Sequence, residues 1–325
     1  MARRLRTCPC LAAVPRNRPS LINNLFVMSV ASTVIYAQPA QSLADFRCRT
    51  RMRVRWSEVD LQKVVFNAHY LSYVDVAISE YWRQLAVPYE EGTQRLGGEL
   101  FLKATQLEYH ASARLDDVLD VGMRCVKLGN TSVQFEAGIF CADKCLVSAT
   151  MVYVFANAQQ QPTPLPEVYR SMLQRFEAGE PMVQVATGDW NTLGRDAMRL
   201  RMQVFVREQG IPEEIEADEY DVTSLHAVAT NGLGMCVATG RMLPGRGDGV
   251  MRIGRMAVCR PLRGSQLGRV VLDALVDAAR KHGKRQVELH AQCTAESFYR
   301  RAGFVVQGAP YDEAGIAHVT MVLDL

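Results

Sequence analysis

From Arg49 to Phe155 the spacing of apolar residues passes from strand to helix and back. "RMRVRW" alternates. "HYLSYVDVAISEYWRQL" then places Tyr70, Tyr73, Val74, Ala77, Ile78, Tyr81 and Leu85 on one helical stripe, with Ser72, Asp75, Ser79 and Arg83 off it. Four β-rich runs follow, "FLKATQLEYHAS", "DVLDVGMRCVKL", "SVQFEAGIF" and "CLVSATMVYVFAN", separated by the turn-forming "ARLDD", "GNT" and "ADK". One long amphipathic helix laid against a mostly antiparallel sheet is the economical arrangement. "NAQQQPTPLPEVY", with three prolines and a polar run, then reads as a joint leading into a short helix, "EVYRSMLQRFEAG".

Beyond the joint the pattern is mixed α/β. A helix, "TLGRDAMRLRMQVFVREQG", precedes strands at "HAVAT", "GMCVATGRML" and "RIGRMAVC". The segment "RPLRGSQLGRVVLDALVDAARKHG" supplies a loop and a helix whose predicted stripe is Val270, Val271, Ala274, Leu275 and Ala278. A strand, "QVELHA", a short helix, "AESFYRRAG", and a terminal strand pair close the chain. The expected organisation is an N-terminal extension over 1–45, a first domain over 46–158, a linker with a short helix over 159–182 and a second domain over 183–325.

At 325 residues, with 48% hydrophobic and 22% charged residues, the chain is long enough for two ordinary domains. The net charge of +3 conceals an asymmetry: the first 44 residues carry five arginines and no acid, so the rest stands at −2. That leaves no basic face for nucleic acid. The basic start followed by "LINNLFVMSVASTVIYA" is similar to a targeting peptide, but Asn23 and Asn24 interrupt its apolar run. An unstructured tail, with Met28 as an alternative to Met1 as the start, is the expected reading. No later stretch is apolar for long enough to span a bilayer. The nine cysteines form no CxxC pair and the six histidines no HxH or HxxxH pair, so no metal site is expected, and reduced thiols in a cytoplasmic setting are. Cys141 and Cys145 flank a hairpin turn.

"WSEVDLQKVVFNAHYLSYVD" resembles the hotdog-fold thioesterases of the 4-hydroxybenzoyl-CoA and acyl-CoA type, whose pattern has Asp at the end of the first strand, Asn or His seven residues later and Tyr at ten. Asp60, Asn67 and Tyr70 hold those positions. The resemblance implies an α+β hotdog domain that hydrolyses acyl-CoA. Asp60 would be nucleophile or base, Asn67 would position water or the carbonyl, Tyr70 would meet the substrate, and the start of the helix would stabilise the oxyanion. It also implies a homodimer or homotetramer, because hotdog relatives build each site across two subunits. Where many relatives have Gly in the turn, this chain has Gln62 and Lys63; Lys63 either strains the loop, if the position needs a positive φ, or meets a CoA phosphate.

In the second half, the loop before the Val270 helix, together with "ELHAQCTAESFYRRAGF", "RMQVFVREQGIPEEIEADEYD" and "YDEAGIAHVTM", resembles the ElaA-like branch of the GNAT acyltransferases, a mixed α/β fold. The resemblance implies acetyl-CoA or acyl-CoA as substrate. The backbone of Met256, Ala257 and Val258 would pair with pantetheine, and the loop Arg263, Gly264, Ser265, Gln266, Leu267, Gly268 and Arg269 would hold the pyrophosphate, with Gln266 standing where the family has its middle Gly. Tyr299 would protonate the departing thiolate. Glu208, His226 and His318 are available as base or water-relay anchors toward an unknown small amine or peptide acceptor. The acids Glu213, Glu214, Glu216, Asp218, Glu219 and Asp221 either attract a cationic amine or form a solvated face. Two other readings stand beside this one: an acyltransferase resembling the acyl-homoserine-lactone synthases, on "EADEYDVTSLHAVA" and "GRMLPG", and a catalytically decayed CoA-binding protein, on Gln62, Lys63 and Gln266.

Overall fold

The structure, a computed structural model, describes residues 42–313 and 315–325; the N-terminal tail lies outside them. Its elements are β1 (Cys48–Arg53), α1 (His69–Gln84), α2 (Tyr89–Leu96), β2 (Glu99–Tyr109), β3 (Val118–Leu128), β4 (Ser132–Cys141), β5 (Lys144–Ala156) and α3 (Glu167–Glu177), then β6 (Val183–Gly188), α4 (Trp190–Arg201), α5 (Glu213–Glu216), β7 (Leu225–Asn231), β8 (Cys236–Pro244), β9 (Val250–Val258), α6 (Leu267–Lys281), β10 (Gln286–Gln292), α7 (Glu296–Arg301), β11 (Val305–Glu313) and β12 (Ile316–Asp324).

The first five strands form an antiparallel sheet in the order β1-β3-β4-β5-β2. Helix α1 lies on it through Tyr70, Tyr73, Val74, Ala77, Tyr81, Trp82 and Leu85, all buried, with Ile78 half-buried. Removing each such large side chain from water contributes about 1.5–3 kcal/mol, which explains why a helix with no side-chain cap at its start holds its place. It ends where Ala86 turns left-handed (φ 57°) and Pro88 follows. Strand β2 is the sheet's edge and pairs only with β5, leaving Phe101, Leu102 and Tyr109 largely exposed.

The stretch expected as a linker is only partly one. Helix α3 stacks Tyr169 on Trp82 at 5.2 Å and sets Phe176 edge-on to Tyr81 at 4.9 Å, so it belongs to the first core. Its amphipathic spacing, Tyr169, Met172, Leu173 and Phe176, is what buries it. The Cys141 and Cys145 thiols sit at the β4–β5 turn unbridged.

The second sheet runs β11-β12-β10-β9-β8-β7-β6, with only the β9–β10 pair parallel and α6 as the crossover between them. The buried stripe of α6 is Leu267, Val271, Leu272, Leu275, Val276, Ala278 and Ala279; it contains the expected Val271, Leu275 and Ala278, while Ala274 is half-buried and Val270 is exposed, because the helix begins at Leu267 and its inner face follows that residue. The two halves interlock. Ala86, at the end of α1, is buried in the second core and its carbonyl accepts the Asn231 amide at 2.7 Å, while Leu233 is buried in the first. The Arg83 guanidinium donates to the Pro261 carbonyl at 3.2 Å.

Candidate functional site

Two places collect the chemistry. The first is the turn between β1 and α1. Val59 and Val65 bridge, the Asp60 N–H donates to the Val64 carbonyl at 2.9 Å, and Lys63 sits inside the loop at φ 62°. The position that relatives fill with Gly therefore does need a left-handed backbone, and here a lysine adopts it. One Asp60 oxygen accepts the Gln62 N–H at 2.8 Å, the bond of an Asx turn, and the half-buried carboxylate's other oxygen has no donor among the described residues. Helix α1 starts with Ala68 as its cap, which offers no side-chain acceptor; the N–H groups of Asn67, Ala68 and Tyr70 have no acceptor among the described residues. A carboxylate with a lone oxygen beside open amides at the positive end of a helix suits attack on a carbonyl and stabilisation of its oxyanion.

Asn67 is exposed at this helix start, and its carbonyl accepts the Tyr109 hydroxyl at 3.1 Å. Tyr70 corrects the expectation of a substrate contact. It is buried, its oxygen accepts the Ala113 N–H at 2.8 Å, and burial raises its pKa, so it holds the framework instead. Sequence reasoning missed Glu58, the buried acid of the turn. Its carboxylate accepts from the Tyr73 hydroxyl at 2.7 Å and from the Arg55 N–H at 2.8 Å. Burial alone would raise the Glu58 pKa, but the Arg55 guanidinium and these donors outweigh it and lower the pKa, while burial and the same carboxylate push the Tyr73 pKa upward. The only signal was a second acid in "SEVD" with an arginine three residues before it. Around the turn Trp56 and Leu61 stand free, 81% and 102% exposed, forming an apolar rim.

The second place is a cleft of about 370 Å³ on one face of the second sheet. Strands β9 and β10 pair from Gln286 and Val250 only as far as Leu289 and Ile253, then part. Past that point β9 carries a bulge at Arg255 (φ 53°), and Ala257 and Val258 keep their pairing to β8 while their other edge faces no strand. The parted strands lead to the loop before α6. There Gly264 (φ 90°) and Gln266 (φ 67°) turn left-handed, and the N–H groups of Gly264, Gln266, Leu267 and Gly268 have no acceptor among the described residues. A β-carbon on Gly268 would meet Val258 at 3.3 Å, so this glycine lets the helix start close against β9. Convergent amides at the start of a fifteen-residue helix make a cradle of the kind that suits a phosphate.

Arg263 and Arg269 flank the cradle but are already engaged. Arg263 forks onto Glu208 at 2.6 and 2.8 Å, and Arg269 holds Asp273 at 2.8 Å. Glu208 is thereby corrected as a base: its arginine partner holds its carboxyl below the usual range. His226 is corrected too. It is 0% exposed, donates from Nε2 to the Asp221 carbonyl at 2.9 Å, and burial pushes its pKa down. Tyr299 and His318 both line the cleft. Tyr299 is 8% exposed, its hydroxyl makes no hydrogen bond to the described residues, and burial pushes its pKa up to about 12. His318 donates from Nδ1 to the Ile316 carbonyl at 2.8 Å, which leaves Nε2 as the acceptor of the neutral ring.

The acid run is neither a solvated face nor an amine trap throughout. Glu213, Glu214 and Glu219 are exposed, but Glu216, Asp218 and Asp221 pair with Arg201, Arg241 and Arg255 in a network of three against three. Arg201, 1% exposed, spans Glu216 and Asp221. Helix α4 brings it there by continuing as a π-helical turn, Met202–Glu208, which also places Phe205 in the cleft wall. Among the described residues no group of three or more histidines, cysteines and acids is gathered for a metal, and no helix is long and apolar enough to cross a membrane.

Comparison with known proteins specifies the class to which these two arrangements belong. Residues 196–325 match the family profile described as "Acetyltransferase (GNAT) domain", and residues 54–176 match that of the "Thioesterase-like superfamily". The chain is 34% identical over 131 residues to the uncharacterized N-acetyltransferase YjcF of Bacillus subtilis (strain 168), which covers 40% of this chain and 91% of that protein. It is 30% identical over 131 residues to protein ElaA of Escherichia coli (strain K12), covering 39% and 85%. Among solved structures, a thioesterase from Thermus thermophilus complexed with coenzyme A and Zn is 28% identical, with 42% of this chain and 98% of that one covered and a TM-score of 0.37. The chain belongs to the GNAT acetyltransferase family through its second half, and its first half is a hotdog domain of the thioesterase-like superfamily. It is a fusion of the two.

Proposed function

We propose that the chain is a bifunctional enzyme: its first half hydrolyses acyl-CoA, and its second half transfers an acetyl or acyl group from CoA to an amine. The observation that carries this reading is the line from the parted β9–β10 strands, through the open amides of 264–268, to Tyr299 in the same cleft. Pantetheine would lie against the free edge of Met256, Ala257 and Val258, its pyrophosphate in the loop and its sulfur toward the Tyr299 hydroxyl. A tyrosine whose pKa stands at about 12 stays protonated at neutral pH and can give its proton to the leaving thiolate. His318, with Nε2 free to accept, is the base nearest to that role in the wall of the cleft.

In the first half, Asp60 attacks the thioester or activates water, Asn67 steadies the carbonyl, and the amides at the start of α1 receive the oxyanion. The exposed edge of β2 and the apolar rim of Trp56 and Leu61 support assembly as a homodimer or larger homo-oligomer through the hotdog half. Sedimentation of the full chain tests that assembly; an active monomer would rule it out. For the chemistry, thiol release from a panel of CoA esters is measured with and without amines. Asp60→Asn is expected to remove the amine-independent release and Tyr299→Phe the amine-dependent increment, each by about 10²-fold or more. Retention of both rates in the variants would remove Asp60 and Tyr299 from the chemistry, whereas absence of both rates in the unmutated chain would leave a CoA-binding protein without catalysis.

A further inference from the structure

The wall of the acyltransfer cleft also bears on the acceptor. Alternation along the strands turns Met242, Ile253, Leu289 and Met321 toward the core and Arg241, Leu243, Arg252, His290 and His318 toward the cleft. Of the arginines there, Arg241 and Arg255 are balanced with Arg201 against Glu216, Asp218 and Asp221. Arg252 stands outside that balance and makes no ion pair or side-chain hydrogen bond among the described residues. Its partner in register, Glu288, accepts the Arg246 N–H at 3.2 Å instead. Arg241, 4% exposed, spends both terminal nitrogens on Asp218 and Asp221, and its buried Nε–H has no acceptor. A buried N–H without an acceptor costs about 1–3 kcal/mol.

His290, His318 and Glu313, which line the cleft, are gathered around Tyr311 and suit an amine. The Tyr311 ring lies 5.8 Å from that of His290 and 6.2 Å from that of His318, and the Glu313 carboxylate stands 3.5 Å from His290. Burial raises the Tyr311 pKa while Arg246 and Arg252 oppose the rise, so Arg252 shares this neighbourhood. The wall thus holds an uncommitted cation, an unfilled donor, and a carboxylate with two histidines, within one small-molecule volume.

We propose that the acceptor is an amine that also carries a carboxylate, as an amino acid does: Arg252, assisted by the Arg241 Nε–H, binds the carboxylate, and the amine lies toward Glu313 and His318. The proposal rests on the cleft being the acyltransfer site. The acceptor would enter as the ammonium form, lose one proton to the histidine and attack the thioester carbon; the C–S bond breaks, Tyr299 gives its proton to the departing thiolate, and the second proton of the attacking nitrogen restores the tyrosine as the amide forms.

The test compares amines matched except for the carboxylate, such as phenylalanine with phenethylamine and lysine with cadaverine. Two measurements are made on the full chain: transfer at saturating acetyl-CoA with the amine-independent rate subtracted, and direct calorimetric binding to the CoA-loaded protein. The carboxylate-bearing member is expected to be favoured about 10- to 100-fold, the scale of a charge-assisted hydrogen bond, and Arg252→Gln to collapse that ratio toward one while Arg252→Lys keeps part of it. A preference that appears in binding without any transfer supports the carboxylate site and overturns acyl transfer. Equal use and equal binding of both members, or a ratio unmoved in Arg252→Gln, overturns the proposal, as does a preference for phosphoethanolamine over every carboxylate.

Discussion

Replacing Arg201 by methionine removes the centre of the buried network in the second half. Arg201 donates to both oxygens of Asp221, at 2.6 and 3.1 Å, and to the carboxylate and carbonyl of Glu216, the latter at 2.7 Å. Methionine fills much of the volume but leaves three carboxylates facing two arginines. Breaking one side of a buried pair costs about 3–5 kcal/mol. Arg241 still reaches Asp221 at 2.7 Å and Arg255 still lies 3.0 Å from Glu216, so the low end, about 3 kcal/mol, is expected. The loss should depend on pH. Burial raises the Asp221 pKa, but Arg201 and then Arg241 outweigh it and hold the group below its ordinary 3.8. A carboxyl depressed in the folded state contributes stability that is present above its unfolded value and lost as pH falls through the folded one. Without Arg201, burial is less opposed and Asp221 takes up a proton earlier, so the gap between variant and wild type narrows as pH falls toward about 4. Urea titrations followed by hydrogen exchange of β7 and β8 measure this, with Arg201→Met/Asp221→Asn expected to recover part of the loss. A cost below about 1 kcal/mol at neutral pH, or one that does not change with pH, would refute the reasoning.

Glu58→Gln is expected to cost about 1.5–3 kcal/mol, because it weakens a buried carboxylate's bonds to Tyr73 and Arg55, and to slow thioester hydrolysis by loosening the Asp60 turn; urea midpoints and thiol release read the two effects separately. Since the Glu58 pKa is lowered in the fold, its contribution is present above the ordinary 4.5 and fades as pH falls below it, which acid titration of the midpoint checks. Lys63→Gly and Gln266→Gly, at φ 62° and 67°, should leave stability unchanged or raise it by up to about 1 kcal/mol, whereas Gln266→Val should lower it by about 1–2; thermal unfolding decides. With the Tyr299 pKa pushed to about 12, amine-dependent transfer should show no alkaline fall from tyrosine ionisation up to pH of about 10, and a pH–rate profile compared with Tyr299→Phe tests it.

What could be read from the sequence was whatever depends on near neighbours. The α1 stripe announced its buried face through Tyr70, Tyr73, Val74, Ala77 and Tyr81, and the turns at 129–131 and 142–143 divide the strands where glycine, asparagine and aspartate said they would. The β9 strand and the loop after it were likewise legible, because a strand, a glycine-bearing loop and a helix follow one another along the chain. Contacts between distant segments carried no such mark. Arg201 lies 15 residues before Glu216 and 20 before Asp221, and nothing in "RLRMQ" says that this arginine, rather than Arg199, turns inward. The same limit hid Tyr169 against Trp82, and it hid Glu58, which shares one short turn with Asp60 and is marked as the buried acid only by the Tyr73 hydroxyl across the core.

The membership of α3 in the first core also determines where the gene can be cut. Cleaving at the proline-rich stretch near residue 158 would strip Trp82 of its stacked Tyr169 and Tyr81 of Phe176, and would leave Arg47 without the Phe176 and Glu180 carbonyls to which it donates. The fragment would expose a large aromatic surface and self-associate through it, imitating an oligomer. Between Glu177 and Val183 only five residues run free of helix or strand, and a scission there keeps the α3 aromatics with the first core, leaving Ala86 and Leu233, each buried in the other half's core, as the apolar contacts that the cut would uncover.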